Sequence, residues 1–280
     1  MNKNKKMYNP YFLTLKSSKM NMKFVETIRK KEMLTQTQQI SVQNTRYPMK
    51  ESYNSIIPLN IFQTWHTKIL PPLMQESVTI IKKVNPKFNY YLFDDNDCRE
   101  FIKNNFDKDV LYAFDTLVPG AYKADLWRYC VLYKKGGIYL DIKYRPYNGF
   151  QFINLTEKEH LVLDADGAGI YNALMVCLPN NEMLLKAIHQ IVNNVKTRYY
   201  GKNFLEPTGP KLLWKLLNDQ EKQSLDMTHK LHFSIDNRFI YLQGYPVLKS
   251  YNGYITEHHI CKKNEHYSTL WRKKKIYKYL

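Results

Sequence analysis

No apolar run in the 280-residue sequence approaches the roughly 18 residues that cross a bilayer. The basic amino terminus, MNKNKKMYNPYFLTLKSSK, offers only YFLTL as an apolar stretch, too short for a secretory signal. Both absences lead us to expect a cytoplasmic or otherwise soluble chain. Cysteine is scarce: Cys98, Cys130, Cys177 and Cys261 stand far apart, without the paired spacing of a zinc site, and read as free thiols of a reducing compartment. Acidic residues are few, 25 against 42 Lys and Arg, which gives a formal net charge of +17. Such an excess attracts polyanions of every kind, including DNA, anionic membrane surfaces and nucleotide diphosphates. Lys and Asn are frequent throughout, so compositional bias accounts for much of it. No helix-turn-helix or RNA-binding motif accompanies the charge, so a specific nucleic-acid partner is not expected, and peripheral attraction to anionic surfaces stays open.

What is present is an α/β pattern, with 44% hydrophobic residues to build a core. Residues 1–55 are polar and weakly periodic, an amino-terminal extension that is either a flexible arm or a helical cap, with a short helix at Met22 to Leu34. Residues 56–280 read as one domain. Asn60 to Trp65 is a strand, Pro71 to Val84 a helix by the recurrence of Leu73, Val78, Ile81 and Val84, and Phe88 to Phe93 a second strand. Asp94, Asp95 and Asp97 follow; a helix cap uses the same residue types as a metal site there. Further on, Leu161 to Leu163 and Asn172 to Leu178 read as strands, Glu182 to Arg198 and Lys211 to Leu217 as helices, and residues 231–254 as short β pieces. His258 and His259 on an extended chain would face opposite sides, which argues against a metal site built from that pair.

The stretch around which the rest is organised is AYKADLWRYCVLYKKGGIYLDIKYRP, Ala121 to Pro146. Ala124, Leu126, Trp127, Cys130, Val131 and Tyr133 recur at helical spacing until Gly136-Gly137 stops the pattern, and Ile138-Tyr139-Leu140 then delivers Asp141 to the end of a short apolar run. In α/β proteins ligands sit at the carboxyl ends of such strands. Asp125 and Arg128 are three apart and share a helix face, which the Gly-Gly turn folds back toward Asp141. The three suit a polyhydroxylated, anionic ligand, with an intrahelical salt bridge the lesser alternative for Asp125 and Arg128 and a hydrogen-bonding role at a strand end the lesser alternative for Asp141.

This phrase, with IPLNIFQTWHTKILPP (Ile57 to Pro72) and NPKFNYYLFDDND (Asn85 to Asp97), resembles the glycosyltransferase family carrying the Asp-X-Asp sugar-binding region, which includes the yeast-type initiating mannosyltransferases. The resemblance implies a single-domain GT-A-like fold with a central mixed, mostly parallel sheet flanked by helices. It also implies a glycosyltransferase that moves a sugar, with retention, from a nucleotide-diphosphate sugar to a glycan, lipid-linked or protein acceptor. UDP-sugars are favoured as donors and GDP-mannose also suits. On the same basis Asp125 and Arg128 meet the donor sugar, Asp141 the ribose or a metal's water shell, and Trp65 and Tyr139 lie beside the nucleotide, Trp65 serving alternatively as a packing residue. His266, Ser268 and Trp271 are candidates for a terminal segment that closes over the donor, while Asp164, Asp166, Glu206 and Thr208 are candidate acceptor contacts or helpers, Thr208 serving alternatively as a helix cap.

One position departs from the family pattern. Lys143 stands where the second Asp of Asp-X-Asp is expected, and a cation does not coordinate a cation. Three outcomes follow: Lys143 supplies the positive charge itself and transfer is metal-independent; Asp141 holds Mn²⁺ or Mg²⁺ with replacement ligands such as His266 or Asp166; or donor chemistry is lost and the chain is a silent glycosyltransferase-like binding module. A polyanion- or nucleic-acid-binding protein is the remaining alternative.

Overall fold

The structure, a computed structural model, describes residues 46–232, 238–261 and 265–278. The helix expected at Met22 to Leu34 lies outside the described residues. In chain order the elements are β1 (Asn60–Thr64), α1 (Pro72–Val84), β2 (Asn89–Phe93), α2 (Asp95–Asn105), α3 (Lys108–Thr116), α4 (Gly120–Lys135), β3 (Gly137–Leu140) and β4 (Tyr144–Pro146). After a 3₁₀ turn (Phe152–Leu155) come β5 (His160–Leu163), β6 (Ile170–Cys177), α5 (Glu182–Lys196), α6 (Pro210–Leu216), α7 (Asp219–Gln223), β7 (Met227–Leu231), β8 (Arg238–Leu242), β9 (Tyr245–Ser250), α8 (Tyr254–Cys261) and α9 (Tyr267–Arg272). The strands form one nine-stranded sheet in the order β2-β1-β3-β6-β5-β7-β8-β9-β4.

Strand alternation divides the core. Phe62, Tyr139, Met175 and Cys177 face a layer built from α2, α3, α4, α5 and α6. Ile61, Ile138, Leu140, Leu174 and Val176 face the other way, toward Ile81 of α1, the 3₁₀ turn and the inner residues of β7 to β9. Residues 46–55 are irregular but tied down: Tyr53 donates to Asn154 at 2.7 Å, Ser55 and Thr156 share a hydroxyl bond at 2.7 Å, and Tyr47 packs on Phe150 and Tyr245.

The sheet is mixed, but five of its eight pairings are antiparallel, against the mostly parallel sheet expected. Only β1 with β2, β1 with β3 and β5 with β7 run parallel among the described residues. The reason is local. Gln243 and Gly244 both have positive φ, 50° and 87°, which closes a two-residue hairpin between β8 and β9, and β6 enters antiparallel between β3 and β5. Apolar runs alone carry no direction, so these reversals are invisible in them.

The sheet also has to curl. Strands β3 and β4 are joined by only residues 141–143, yet stand six places apart in the strand order. A flat sheet would separate them by about 29 Å at ~4.8 Å per strand, whereas four Cα steps span at most about 15 Å. The far edge therefore bends round toward β3 as a half-barrel, and Asp141 to Lys143 form its seam.

The turn that feeds β3 admits only glycine. Gly136 and Gly137 have φ of 58° and 117°, and a Cβ would lie 2.6 Å from Pro179 Cδ at the first and 2.7 Å from the Asn60 carbonyl oxygen at the second. The close approach lets α4 reverse into a strand wedged between β1 and β6. The carboxylates after β2 act as a cap: Asp94 accepts from the backbone N–H groups of Asn96 and Asp97, and Asp97 returns a bond to the Asp94 N–H. His258 and His259 lie on helix α8, not on an extended chain; Gly253, at φ 80°, turns the backbone out of β9 before the helix begins.

Candidate functional site

A cavity of about 230 Å³ opens at the carboxyl ends of β1 and β3. Its wall includes Trp65 and His66 after β1, Lys123 and Arg128 on α4, Tyr139, Asp141 and Lys143 at the seam, Tyr254 and His258 on α8, and His266 and Tyr267 at the start of α9. Residues spread over 200 positions meet here because the curl brings β3, β4 and the segment after β9 together.

Asp141 is the hub. Its backbone N–H donates to the Ala173 carbonyl at 2.7 Å, extending the β3–β6 ladder by one residue. Its Oδ1 accepts from the Tyr139 hydroxyl at 2.8 Å and lies 3.4 Å from Arg128 Nη1; its Oδ2 accepts from Lys143 Nζ at 2.5 Å. Burial works against ionisation of this carboxyl, but Lys143 and Arg128 outweigh it and hold it below the ordinary carboxylate range. The same pairing keeps Lys143 charged although burial opposes that charge.

Arg128 knits the helix to the sheet. Its Nε donates to the Ala124 carbonyl at 3.1 Å, Nη1 to the Asn172 carbonyl at 2.5 Å, and Nη2 lies 3.3 Å from Asp125 Oδ1. The guanidinium stands 4.2 Å from the centroid of the Tyr139 ring. Asp125 sits one layer behind the wall. It accepts from Asn172 Nδ2 at 2.9 Å and from the Thr208 hydroxyl at 2.7 Å, and complete burial pushes its carboxyl up against the pull of Arg128.

Asn172 is the member that sequence reasoning missed. Its Nδ2 also donates to the Tyr129 hydroxyl at 2.8 Å, so one side chain locks two α4 residues to β6. Its signal was a lone polar residue within the apolar strand IYNALMVC. Tyr254, His258 and Tyr267 were also missed as wall residues; their placement depends on how the chain returns after β9.

The remaining expected residues are dispersed. Trp65 is in the wall, its ring 4.7 Å from His66 and 5.8 Å from His258, and its buried Nε1 has no acceptor among the described residues. His266 is also in the wall, with Nδ1 hydrogen-bonded to Ser268 Oγ at 2.8 Å. Trp271 lies outside it, donating to the Tyr200 carbonyl at 2.6 Å and packing on Phe204. Thr208 touches Asp125 and no wall position, while Glu206 is buried among Tyr199, the Lys202 N–H and Lys215. Asp164 bonds His229 Nδ1 at 3.2 Å, and Asp166 pairs with Lys211 at 2.5 Å.

These residues do not fit a divalent ion. An ammonium already stands 2.5 Å from Asp141 Oδ2, and Asp166 is engaged elsewhere by Lys211. Among the described residues no group of three His, Cys, Asp or Glu side chains comes together to hold one, although a DXD-type motif is consistent with divalent-metal use in related enzymes.

Residues 71–160, about a third of the chain, match the family described as glycosyltransferase sugar-binding region containing DXD motif. That segment lies within a chain that is similar to yeast mannosyltransferases. It is 28% identical to inositol phosphoceramide mannosyltransferase 3 of Schizosaccharomyces pombe over 179 residues, covering 60% of this chain and 48% of that protein. It is 32% identical to the initiation-specific alpha-1,6-mannosyltransferase of Candida albicans over 114 residues, 39% of this chain and 28% of that one. The chain thus spans about half or less of the length of these curated relatives. Among solved structures, PaToxG glycosyltransferase aligns over 59% of this chain and 69% of its own, with a TM-score of 0.46 and 19% identity. No helix among the described residues is long and apolar enough to cross a membrane.

Proposed function

We propose that the protein is a hexosyltransferase that moves a sugar from a nucleotide-diphosphate sugar to a hydroxyl acceptor. The observation that carries this reading is the convergence of Arg128, Asp141 and Lys143 on one cavity wall at the carboxyl end of β3, within the segment that matches the sugar-binding family. Asp141 supplies an acceptor for ribose or sugar hydroxyls, and Arg128 and Lys143 supply fixed positive charge for the departing diphosphate. Trp65 supplies a ring face for the base and an indole N–H already stripped of water and lacking a partner.

In the reaction the bond from the anomeric carbon to the diphosphate oxygen breaks, and the acceptor oxygen bonds to that carbon on the same face. The acceptor's proton passes to the departing diphosphate, so no separate general base is required. The mannosyl relatives make GDP-mannose the first donor to test beside UDP-glucose, UDP-galactose and UDP-N-acetylglucosamine. The acceptor is a glycan, a lipid-linked sugar or a protein hydroxyl.

The test is nucleoside diphosphate release from these four donors by wild-type protein and Asp141→Asn. Turnover of one donor, reduced roughly 10²- to 10³-fold in the variant, is expected. Equal turnover by both proteins, or none from any donor, would sink the proposal.

A further inference from the structure

We infer that the diphosphate site is built to work without a divalent ion, the ammonium of Lys143 standing where the metal of an Asp-X-Asp enzyme would be held. The inference rests on the glycosyltransferase reading above and adds to it the chemistry by which the donor is recognised.

Three observations support it. First, Lys143 Nζ and Arg128 Nη1 approach the two oxygens of the single Asp141 carboxylate, at 2.5 and 3.4 Å. Two cations thus share that carboxylate, and each keeps hydrogen-bonding capacity that an incoming phosphate can take up. Secondly, Lys143 is a positioned charge: it is 9% exposed, and its Nζ stands 5.5 Å from the ring centroids of both Tyr144 and Tyr171. Those rings meet at 90° with their hydroxyls 2.9 Å apart. Tyr171 lies flat on His229 at 3.6 Å, and Asp164 anchors His229 from beyond. The shelf fixes the ammonium before any ligand arrives, so little ordering entropy remains to oppose binding.

Thirdly, the replacement ligands expected from the sequence are committed elsewhere: Asp166, outside the cavity wall, to Lys211, and His266 Nδ1 to Ser268. An ammonium carries half the charge of a divalent ion, but in a water-poor wall its hydrogen bonds to phosphate are strong. Binding of the diphosphate would draw Lys143 from Asp141 Oδ2, leaving that oxygen to accept a donor hydroxyl.

The experiment is calorimetric titration of UDP and GDP into wild-type protein, Lys143→Asp and Lys143→Gln, each in EDTA, in Mn²⁺ and in Mg²⁺. Circular dichroism establishes that each variant is folded. The inference expects wild-type affinity in EDTA within about threefold of that in Mn²⁺. It expects binding in EDTA to weaken roughly 10- to 100-fold in either variant, the loss of one charge-assisted contact, and Mn²⁺ to restore it in Lys143→Asp only. Wild-type binding that needs a divalent ion overturns the inference and leaves the glycosyltransferase reading intact. A folded wild-type protein that binds neither nucleotide in any buffer overturns both. The wild-type arms decide the question even if both variants fail to fold.

Discussion

Asn172 shows what a single buried amide can hold. It satisfies Asp125 and Tyr129 through its Nδ2 and Arg128 through its carbonyl, and all three of Asp125, Arg128 and Asn172 are buried. Asn172→Ala should cost about 1–3 kcal/mol, since a buried carboxylate loses a donor, and lower the melting temperature by roughly 2–4 °C per kcal/mol; urea titration measures it. Arg128→Lys tests a different property of the same cluster. A lysine ammonium cannot bridge Ala124, Asn172 and two carboxylates at once, so we expect donor turnover to fall on the order of 100-fold. A change under about threefold would confine Arg128 to a folding role. The spacing of Asp125 and Arg128, and the delivery of Asp141 by an apolar run, were legible because helix and strand periods are local. Asn172 was not, because its partners depend on the register of β3 against β6, Leu140 opposite Leu174, which no local pattern encodes.

At the scale of elements, the α4–β3 turn and the β5–β7 junction make separable claims. Gly136→Ala places a methyl group 2.6 Å from Pro179 Cδ in a left-handed backbone, whereas Gly149, also left-handed at φ 74°, has open space around it. Gly149→Ala should cost about 1 kcal/mol for backbone strain alone, and Gly136→Ala at least 2–3 kcal/mol more from the clash; equal losses would mean that the turn relaxes freely. Beside β5, Asp226 meets His160 Nδ1 at 3.1 Å and Lys158 Nζ at 2.7 Å. Burial opposes its charge, but these partners bring its pKa down from 3.8 to about 2. A depressed carboxylate stabilises the fold above its unfolded value and loses that contribution as pH falls through the folded one. Wild-type stability should therefore drop by about 2 kcal/mol more than that of Asp226→Asn between roughly pH 4 and pH 2, at 1.36 kcal/mol per unit. Parallel denaturation curves of the two proteins across that range would remove the assignment. Helices such as α5 and strands such as β1 and β2 were visible from their periods, and the Asp94 cap from its residue types, whereas α8 was read as extended chain. Strand direction was not, since an apolar run such as IYNALMVC reads alike in parallel and antiparallel neighbours.

Across the whole molecule, the formal charge of +17 would add a long-range attraction to the short-range contacts proposed for Arg128 and Lys143. Raising salt from about 0.05 to 0.5 M should weaken nucleoside diphosphate binding several-fold by screening the distant lysines; a flat profile would assign the attraction to the buried pair alone. The half-barrel seam has a consequence for the order of events in folding. Lys143 is anchored by the pairing of β4 with β9, whose partner residues lie about a hundred positions later in the chain. Asp141 is anchored by β3 and β6, which meet much earlier. The two groups acquire their spacing only when the last strand has closed the curve, so the proposed nucleotide site is complete only in the fully paired sheet. A ligand that bridges the seam would act as a clasp, raising the melting temperature in proportion to the logarithm of its concentration.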